Sequence, residues 1–322
     1  MAPSWSLPAS PPSKPLPGST VQSSVQFDVL IVGGGPAGLS AALVLGRCCR
    51  KVLVVDAGNP RNVRSHAVHG FLTRDGLRPT EFLAMARDQL APYGVECRDG
   101  TVMEIDRAGG GFRAALLDGS HAESRKVLLA TGVVDRLPDL EGIEEMYGVS
   151  VHHCPYCDGW EHRDGRIAVY GAGKSGSGLA VAMKTWTRDV VMCSDGPSRL
   201  TGEFREKLQR NGIDVYERKI SRLEGTLGKL ERIVFEDGTD LPRTALFFGT
   251  GNLQRSVLPQ SIGCKLTPKG AVRTGRDQRS TCPGIFVAGD AAEDSQYVMV
   301  AAAEGAKAAM HINTELIEED SG

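Results

Sequence analysis

The sequence predicts an α/β protein with two Rossmann-like dinucleotide-binding units. Three observations support this. An apolar strand runs into a glycine-rich turn and a helix near the start of the chain, and the same pattern returns in the middle of the chain. At 322 residues, the chain is also long enough for two domains with separate cores.

The first unit begins with the apolar run Phe27–Val32, which enters a glycine-rich turn without a linker. A helical pattern follows over 39–47, and a second strand over 51–55 ends in an acid. The first glycine allows the tight turn, the second lets the backbone approach a pyrophosphate, and the third lets helix and strand pack closely. The acid is placed to accept hydrogen bonds from a ribose diol, but this pattern does not distinguish FAD from NAD. The predicted cofactor-binding residues of this first fingerprint are Gly33, Gly35, Pro36, Ala37, Gly38 and Asp56.

Two later segments favour FAD. The apolar strand at 127–132 ends in a Thr-Gly turn, and the strand at 284–290 ends in Gly-Asp. They resemble the paired motifs of FAD-dependent pyridine nucleotide-disulfide oxidoreductases, which implies that Asp290 binds the ribityl and phosphate region of the flavin. Read from the residues alone, Asp290 is equally well an N-cap of the following helix. The candidate cofactor residues here are Thr131, Gly132, Gly289 and Asp290.

A pair of cysteines, Cys154 and Cys157, lies just before the second glycine-rich turn. This spacing has four readings: a zinc site, a glutaredoxin-like centre, an inert buried pair, or a redox disulfide coupled to a flavin. Zinc needs a second ligand pair, and no second Cys-x-x-Cys is present, so we predict no metal. A glutaredoxin-like centre belongs near the start of a small domain. The position between two nucleotide units favours the flavin-coupled disulfide.

Thiol–disulfide chemistry also needs a group that manages protons, because the thiolate is the reacting species. Asp158 directly follows the second cysteine and is the candidate acid/base; its alternative role is to cap the turn into Gly159. His152 and His153 could tune the pKa values of the thiols, but we expect them to be surface histidines at a strand end. The other six cysteines are scattered and are expected to be small core or surface residues.

The second unit repeats the pattern with a strand at 166–170, a turn at 171–176, a helix-like stretch at 177–187 and a strand at 189–193. Such a unit normally binds NAD(P)H, and its candidate residues are Gly171, Gly173 and Gly176. The second strand ends in Ser194-Asp-Gly196, where an aspartate suits a ribose hydroxyl and repels a 2′-phosphate. NADPH, NADH and an unoccupied site therefore all remain open.

Taken together, the five motifs resemble the low-molecular-weight thioredoxin reductase family over about 26–317. The resemblance implies an FAD domain formed by 25–138 and 249–322, with a smaller NAD(P)-binding-like domain at 139–248 that carries the cysteines. It also implies a homodimer, with Cys157 facing the flavin, Cys154 facing the substrate and Asp158 as the acid/base.

The chain departs from thioredoxin reductases at two points. Ser194-Asp-Gly196 replaces the His-Arg-Arg that reads NADPH, and Tyr297-Val-Met299 replaces the Tyr-Arg-Gln that meets the flavin. The Gly-Trp-Glu that follows the cysteines and the loop Asn59–Asn62 are similar to the branch of FAD-dependent dithiol oxidases that close disulfides in metabolites such as holomycin, gliotoxin and romidepsin-type depsipeptides. Some of that branch have His after the second cysteine, where this chain has Asp158.

Composition excludes several other classes. The net charge of −2 gives no reason to expect a nucleic-acid partner or an anionic membrane. No apolar run is long enough to span a membrane. Residues 1–24 are rich in Pro and Ser and are predicted to form a disordered tail, without the basic and apolar regions of a signal peptide. We therefore expect a cytoplasmic protein.

The sequence thus predicts an FAD-dependent thiol–disulfide oxidoreductase that oxidises a small-molecule dithiol through a Cys154–Cys157 disulfide. The first alternative is a thioredoxin reductase, in which NAD(P)H reduces FAD and then a thioredoxin-like protein. The second is a flavin-bearing redox sensor without turnover.

Overall fold

The computed structural model describes residues 26–292 and 295–322, so the tail predicted at 1–24 lies outside the described residues. Its first sheet has seven strands. The first strand pairs in parallel with its neighbours on both sides, and its side chains are almost entirely buried, as expected for a strand covered on both faces. The strands are Phe27–Val32, Val52–Asp56, Glu96–Asp99, Val102–Ala108, Gly111–Leu116, His121–Leu129 and Ile285–Val287.

The long strand His121–Leu129 joins two parts of this sheet. Its first half pairs with Gly111–Leu116 in an antiparallel extension. Its second half lies between Phe27–Val32 and Ile285–Val287, both in parallel. Consequently, the strands that end in the first glycine turn, the Thr-Gly turn and the Gly-Asp turn reach the same edge of the sheet, where ligands bind in open parallel sheets.

A second sheet contains five parallel strands, in the order 214–216, 190–193, 167–170, 245–248 and 151–152. An antiparallel three-stranded sheet packs beside it, and the apolar side chains of both form a shared core that includes Ile233, Phe235 and Phe248. The strands are Val151–His152, Ile167–Tyr170, Val190–Cys193, Asp214–Tyr216, Ile220–Thr226, Lys229–Phe235, Asp240–Pro242 and Ala245–Phe248.

The chain passes between the two sheets through an antiparallel ribbon formed by Val133–Asp135 and Asn252–Gln254. This ribbon lies close to the divisions predicted after residues 138 and 248, which remain predictions.

The helix Val298–Ser321 packs along Pro36–Arg47, the helix of the first fingerprint. Contact is close at Gly305, where an added Cβ would lie 1.9 Å from the carbonyl oxygen of Ala37. No helix in the described ranges is long and apolar enough to cross a membrane. The helices are Pro36–Arg47, Pro79–Asp88, Ile143–Met146, Pro155–Asp158, Gly173–Met183, Gly202–Arg210, Leu258–Ser261 and Val298–Ser321, with a 3-10 turn at Ala91–Tyr93.

Candidate active site

A cavity of about 520 Å³ lies where the first fingerprint, the Thr-Gly and Gly-Asp turns and the cysteine loop meet. Its size is typical of a cofactor site. Among the predicted residues that the structure describes, Gly38, Cys154 and the glycines of the second fingerprint lie outside its lining. The predicted residues that line it are Gly33, Gly35, Pro36, Ala37, Asp56, Thr131, Gly132, Cys157, Asp158, Gly289 and Asp290.

The first glycine turn leaves its open side to the cavity. Gly33 has a φ of +110°, and an added Cβ would lie 2.3 Å from the carbonyl oxygen of Ala130. A Cβ on Gly38 would lie 1.9 Å from the carbonyl oxygen of Gly33. By contrast, a Cβ on Gly35 would meet nothing within 4 Å. Two of the glycines are therefore needed for packing, and the middle one leaves space for a close ligand.

The polar groups around the cavity fit a bound dinucleotide. Thr131 Oγ1 is buried and has no hydrogen-bond partner within the described part of the chain. Because a buried hydroxyl without a partner is costly, this atom is available for a polar group of the cofactor. Asp56 lies at the end of its strand, where it accepts a hydrogen bond from Arg87 and borders the cavity. FAD would thus be held by the glycine turn at its pyrophosphate and by Asp56 at its ribose.

The cysteines form a disulfide, with their Cα atoms 5.3 Å apart. The short helix Pro155–Asp158 begins after Cys154, whose Sγ accepts a hydrogen bond from the N–H of Cys157 at 3.2 Å. Cys157 borders the cavity, whereas Tyr156 is 82% exposed on the outer side of the loop. This arrangement agrees with the expected division into a flavin-facing and a substrate-facing sulfur, which remains a prediction.

Asp158 has a histidine partner. Its Oδ1 lies 3.4 Å from Nδ1 of His152, so its side chain faces a ring and not the turn into Gly159. His152 is only 4% exposed, and the expectation of a surface histidine was wrong for this residue: the parallel strand Val151–His152 places its ring against Phe247 inside the second sheet. Its Nε2 lies 2.8 Å from Nε2 of His162. Burial, followed by the neighbouring His152, lowers the pKa of His162 to about 4.

Arg61 connects the Gly-Asp turn to the strand Val133–Asp135. Its guanidinium donates to Asp290 at 2.8 Å and to Asp135 through two nitrogens. Tyr147 donates to Asp135 at 2.8 Å and lies 3.0 Å from Nδ1 of His153. Asp290 is therefore not an N-cap; the last helix begins after Tyr297.

This cluster has perturbed acidities. Burial is the largest single effect and acts against the ionised form of Asp135, but the hydrogen bond from Arg61 and the smaller contributions of His153 and Tyr147 together outweigh it and lower the pKa of that carboxyl. Burial and the neighbouring Asp135 raise the pKa of Tyr147. Burial lowers the pKa of His153. The guanidinium of Arg61 is thus shared by the carboxyl groups of Asp135 and Asp290.

Sequence reasoning missed His162, Tyr147, Asp135 and the role of Arg61. Arg61 lies in the loop Asn59–Asn62 that we singled out by resemblance. The other three belong to no local motif: Tyr147 lies 12 positions from Asp135 and His162 lies 10 positions from His152, which is beyond the spacing that helix or strand periodicity reveals.

The second fingerprint has the internal packing of a dinucleotide turn. Gly171 donates to the carbonyl of Cys193 at 3.1 Å, and a Cβ on Gly176 would lie 2.5 Å from the carbonyl carbon of Gly171. However, the N–H of Gly173 donates to the carbonyl of Ser198 at 2.7 Å, so the segment after the second strand lies across the turn.

The acid at the end of that strand is also engaged. Asp195 Oδ1 accepts a hydrogen bond from the backbone N–H of Ile220 at 2.9 Å, and Lys219 lies 3.8 Å from its other oxygen. Asp195 thus has partners within the chain, as Asp56 of the first fingerprint does.

Comparison with known proteins gives the family. A family model described as pyridine nucleotide-disulphide oxidoreductase matches residues 27–305. The probable thioredoxin reductase of Arthroderma benhamiae is 30% identical over 328 residues, which cover 91% of this chain and 81% of that protein. Thioredoxin reductase tcpT of Claviceps purpurea is 32% identical over 307 residues, covering 92% of this chain and 96% of that protein.

Among solved structures, HlmI superposes with a TM-score of 0.88 at 32% identity, covering 95% of this chain and 96% of that chain. The likeness confirms the predicted fold class, an α/β protein with two Rossmann-like domains. The family confirms FAD as the flavin.

Proposed function

Because the chain belongs to the pyridine nucleotide-disulphide oxidoreductase family, we propose that it is an FAD-dependent oxidase that closes a disulfide in a small-molecule dithiol. The observation that carries this direction of electron flow is the state of the second fingerprint, where the carbonyl of Ser198 takes the N–H of Gly173. We take this contact, together with Ser194-Asp-Gly196 at the end of the second strand, as support for a thiol and not NAD(P)H as the electron source.

The first step is attack of a substrate thiolate on Sγ of Cys154, which breaks the enzyme disulfide and releases Cys157 as a thiolate. The second substrate thiolate then attacks the substrate sulfur of the mixed disulfide and releases Cys154. The substrate leaves as a disulfide, having given two electrons to the cysteine pair and two protons to the site. Asp158, beside Cys157, is the group that accepts a proton. Bound FAD supplies the two-electron acceptor that restores the enzyme disulfide, with dioxygen as the final oxidant.

The lining of the cavity supports the dithiol oxidase branch. The loop Asn59–Asn62, which resembles that branch, contributes all four of its residues to the cavity. Tyr156 and Trp160, within and just after the short helix that follows Cys154, are 82% and 64% exposed and offer apolar surface to a small substrate. The site roles, the homodimer, the cytoplasmic location and the domain divisions remain predictions.

The second candidate is a thioredoxin reductase that uses NAD(P)H. Two observations favour it: the printed names of the fungal relatives, and the intact contact between Gly171 and Gly176 in the second fingerprint.

Anaerobic mixing of the FAD-loaded protein with NADPH, NADH or dithiothreitol distinguishes the two candidates. We expect dithiothreitol to bleach the oxidised flavin and either nicotinamide to leave it unchanged over the same time. In air, dithiothreitol should be oxidised over many turnovers with consumption of dioxygen. Rapid bleaching by micromolar NADPH or NADH would refute the oxidase and favour the reductase. A single stoichiometric oxidation would instead indicate a sensor.

A further inference from the structure

Two free cysteines, Cys264 and Cys282, lie in the apolar core beside the first sheet. Cys264 is 6% exposed, whereas Cys282 is only partly buried and packs against that core. Neither residue lines the cavity, and the proposed function uses neither thiol. The pair is therefore a site separate from the dithiol.

Contacts on both sides of Cys264 hold its segment against Cys282. Before it in the chain, a Cβ placed on Gly263 would lie 3.8 Å from Sγ of Cys282. After it, the N–H of Lys265 donates to Oγ1 of Thr281 at 2.9 Å. The residues directly before and directly after Cys264 thus contact residues 281 and 282, which places the two cysteines next to each other.

The two thiols differ in how readily an oxidant reaches them. Burial raises the pKa of the Cys264 thiol to about 11, and the neighbouring side chains of Ser280 and Cys282 also act on it. Sγ of Cys282 donates to the carbonyl of Ile262 at 3.4 Å and is partly accessible. Because oxidation of a cysteine depends on access, Cys282 is the thiol that is attacked first.

We infer that Cys264 and Cys282 form a second, reversible disulfide when the protein meets hydrogen peroxide. Peroxide converts the Cys282 thiol into a sulfenic acid, in which one peroxide oxygen stays on sulfur and the other leaves as water. Sγ of Cys264 then attacks that sulfur and gives up its proton, and the second oxygen leaves as water. The two thiols lose two electrons and one peroxide gains them. In the proposed oxidase, peroxide is also the two-electron product of dioxygen.

The new bond joins two segments that lead to the cofactor cavity. Leu258, shortly before Cys264, borders the cavity. Gly289 and Asp290, which follow Cys282, border it from the other segment. A covalent bond between the two segments restricts the unfolded chain and holds both against the first sheet. Oxidation should therefore stabilise the protein and slow the release of FAD.

Peptide mapping of the FAD-loaded protein tests the bond directly. After treatment with hydrogen peroxide and alkylation of the remaining thiols, trypsin should release residues 256–265 joined to residues 280–307. Reduction by dithiothreitol should separate the two peptides. The exposed Cys48 and Cys49 should lose their alkylation, which shows that the dose of peroxide was sufficient. If these two cysteines are oxidised while the two peptides stay unlinked, the inference is wrong.

Thermal unfolding gives a second test, with Cys264→Ser and Cys282→Ser as the variants and Cys97→Ser, at an exposed strand position, as the matched control. In the wild type and the control, peroxide should raise the unfolding midpoint by about 5 °C or more and slow the release of FAD. In the two variants it should do neither. An equal rise in all four proteins would refute the inference, and linked peptides without any rise would refute the stabilising role. Neither test requires turnover, so both are independent of the proposed function.

Discussion

Replacing Arg61 by methionine should cost more stability than replacing any surface arginine. The Arg61 side chain is 15% exposed and that of Asp135 is 7% exposed, and Arg61 also neutralises Asp290. Methionine keeps the approximate length and removes the charge, which leaves two carboxylates close together without a cation. Because removing one partner of a largely buried ion pair leaves the other charge buried and unpaired, we expect the free energy of unfolding to fall by about 3–5 kcal/mol.

The assay is urea unfolding at a fixed FAD concentration, with the FAD affinity of each variant measured by titration so that the contribution of the bound cofactor can be subtracted. Arg98→Met is the matched control, since Arg98 makes a half-exposed pair with Glu96. That control should lose no more than about 1 kcal/mol. The double variant Arg61→Met with Asp135→Asn should lose less than Arg61→Met alone, because it no longer contains the stranded carboxylate.

The loss of stability in Arg61→Met should also depend on pH. In the wild type, the pKa of Asp135 is lowered despite its burial, mainly by the hydrogen bond from Arg61. The stability contributed by this lowered pKa is present above the unfolded value of about 3.9 and is lost as the pH falls through the folded value. In Arg61→Met, burial raises the pKa of Asp135, so protonation of this carboxyl at low pH removes the uncompensated charge. The difference in free energy of unfolding between the wild type and Arg61→Met should therefore decrease as the pH falls towards about 4. Equal losses for Arg61→Met and Arg98→Met at pH 7 would refute this reasoning.

Three further predictions concern the same cavity. Gly38→Ala should lower the free energy of unfolding by at least about 3 kcal/mol, because its Cβ would meet a backbone carbonyl. Gly35→Ala should have a free energy of unfolding within about 1 kcal/mol of the wild type. In a flavin fluorescence titration, however, Gly35→Ala should bind FAD at least about tenfold more weakly. Cys157→Ser should abolish anaerobic reduction of the flavin by dithiothreitol, and unchanged bleaching would contradict its assigned role. Tyr147→Phe removes a hydrogen bond to Asp135, so it should cost about 1–2 kcal/mol and shift acid unfolding to higher pH, as urea midpoints against pH would show.

Local patterns predicted the first unit well and its edges less well. Phe27–Val32 is a strand as expected, because a nearly continuous apolar run of this length is typical of a strand buried on both faces. The helix expected over 39–47 begins already at Pro36, since proline suits the first turn of a helix. In the second unit the helix begins at Gly173, four residues before the expected start.

The side chains that surround the dithiol were less predictable. Arg61 meets Asp135 across 74 positions of the chain and Asp290 across 229. No periodicity or spacing carries information about such pairs, which depend on how the two sheets are placed. His152 was found but misplaced, because a two-residue strand is too short to show its burial by alternation.

The late strand Ile285–Val287 and the last helix have a consequence for synthesis on the ribosome. The edge of the sheet at Leu129 and the outer face of the helix Pro36–Arg47 are both covered by residues that follow 284. At ordinary translation speeds these covering residues emerge roughly 8–30 s after Leu129. During that interval the nascent chain holds an unfinished nucleotide site with apolar surface exposed. The five parallel strands between 151 and 248 are complete before the covering residues emerge. A chain cut short before residue 285 should therefore bind chaperones and fail to retain the yellow cofactor.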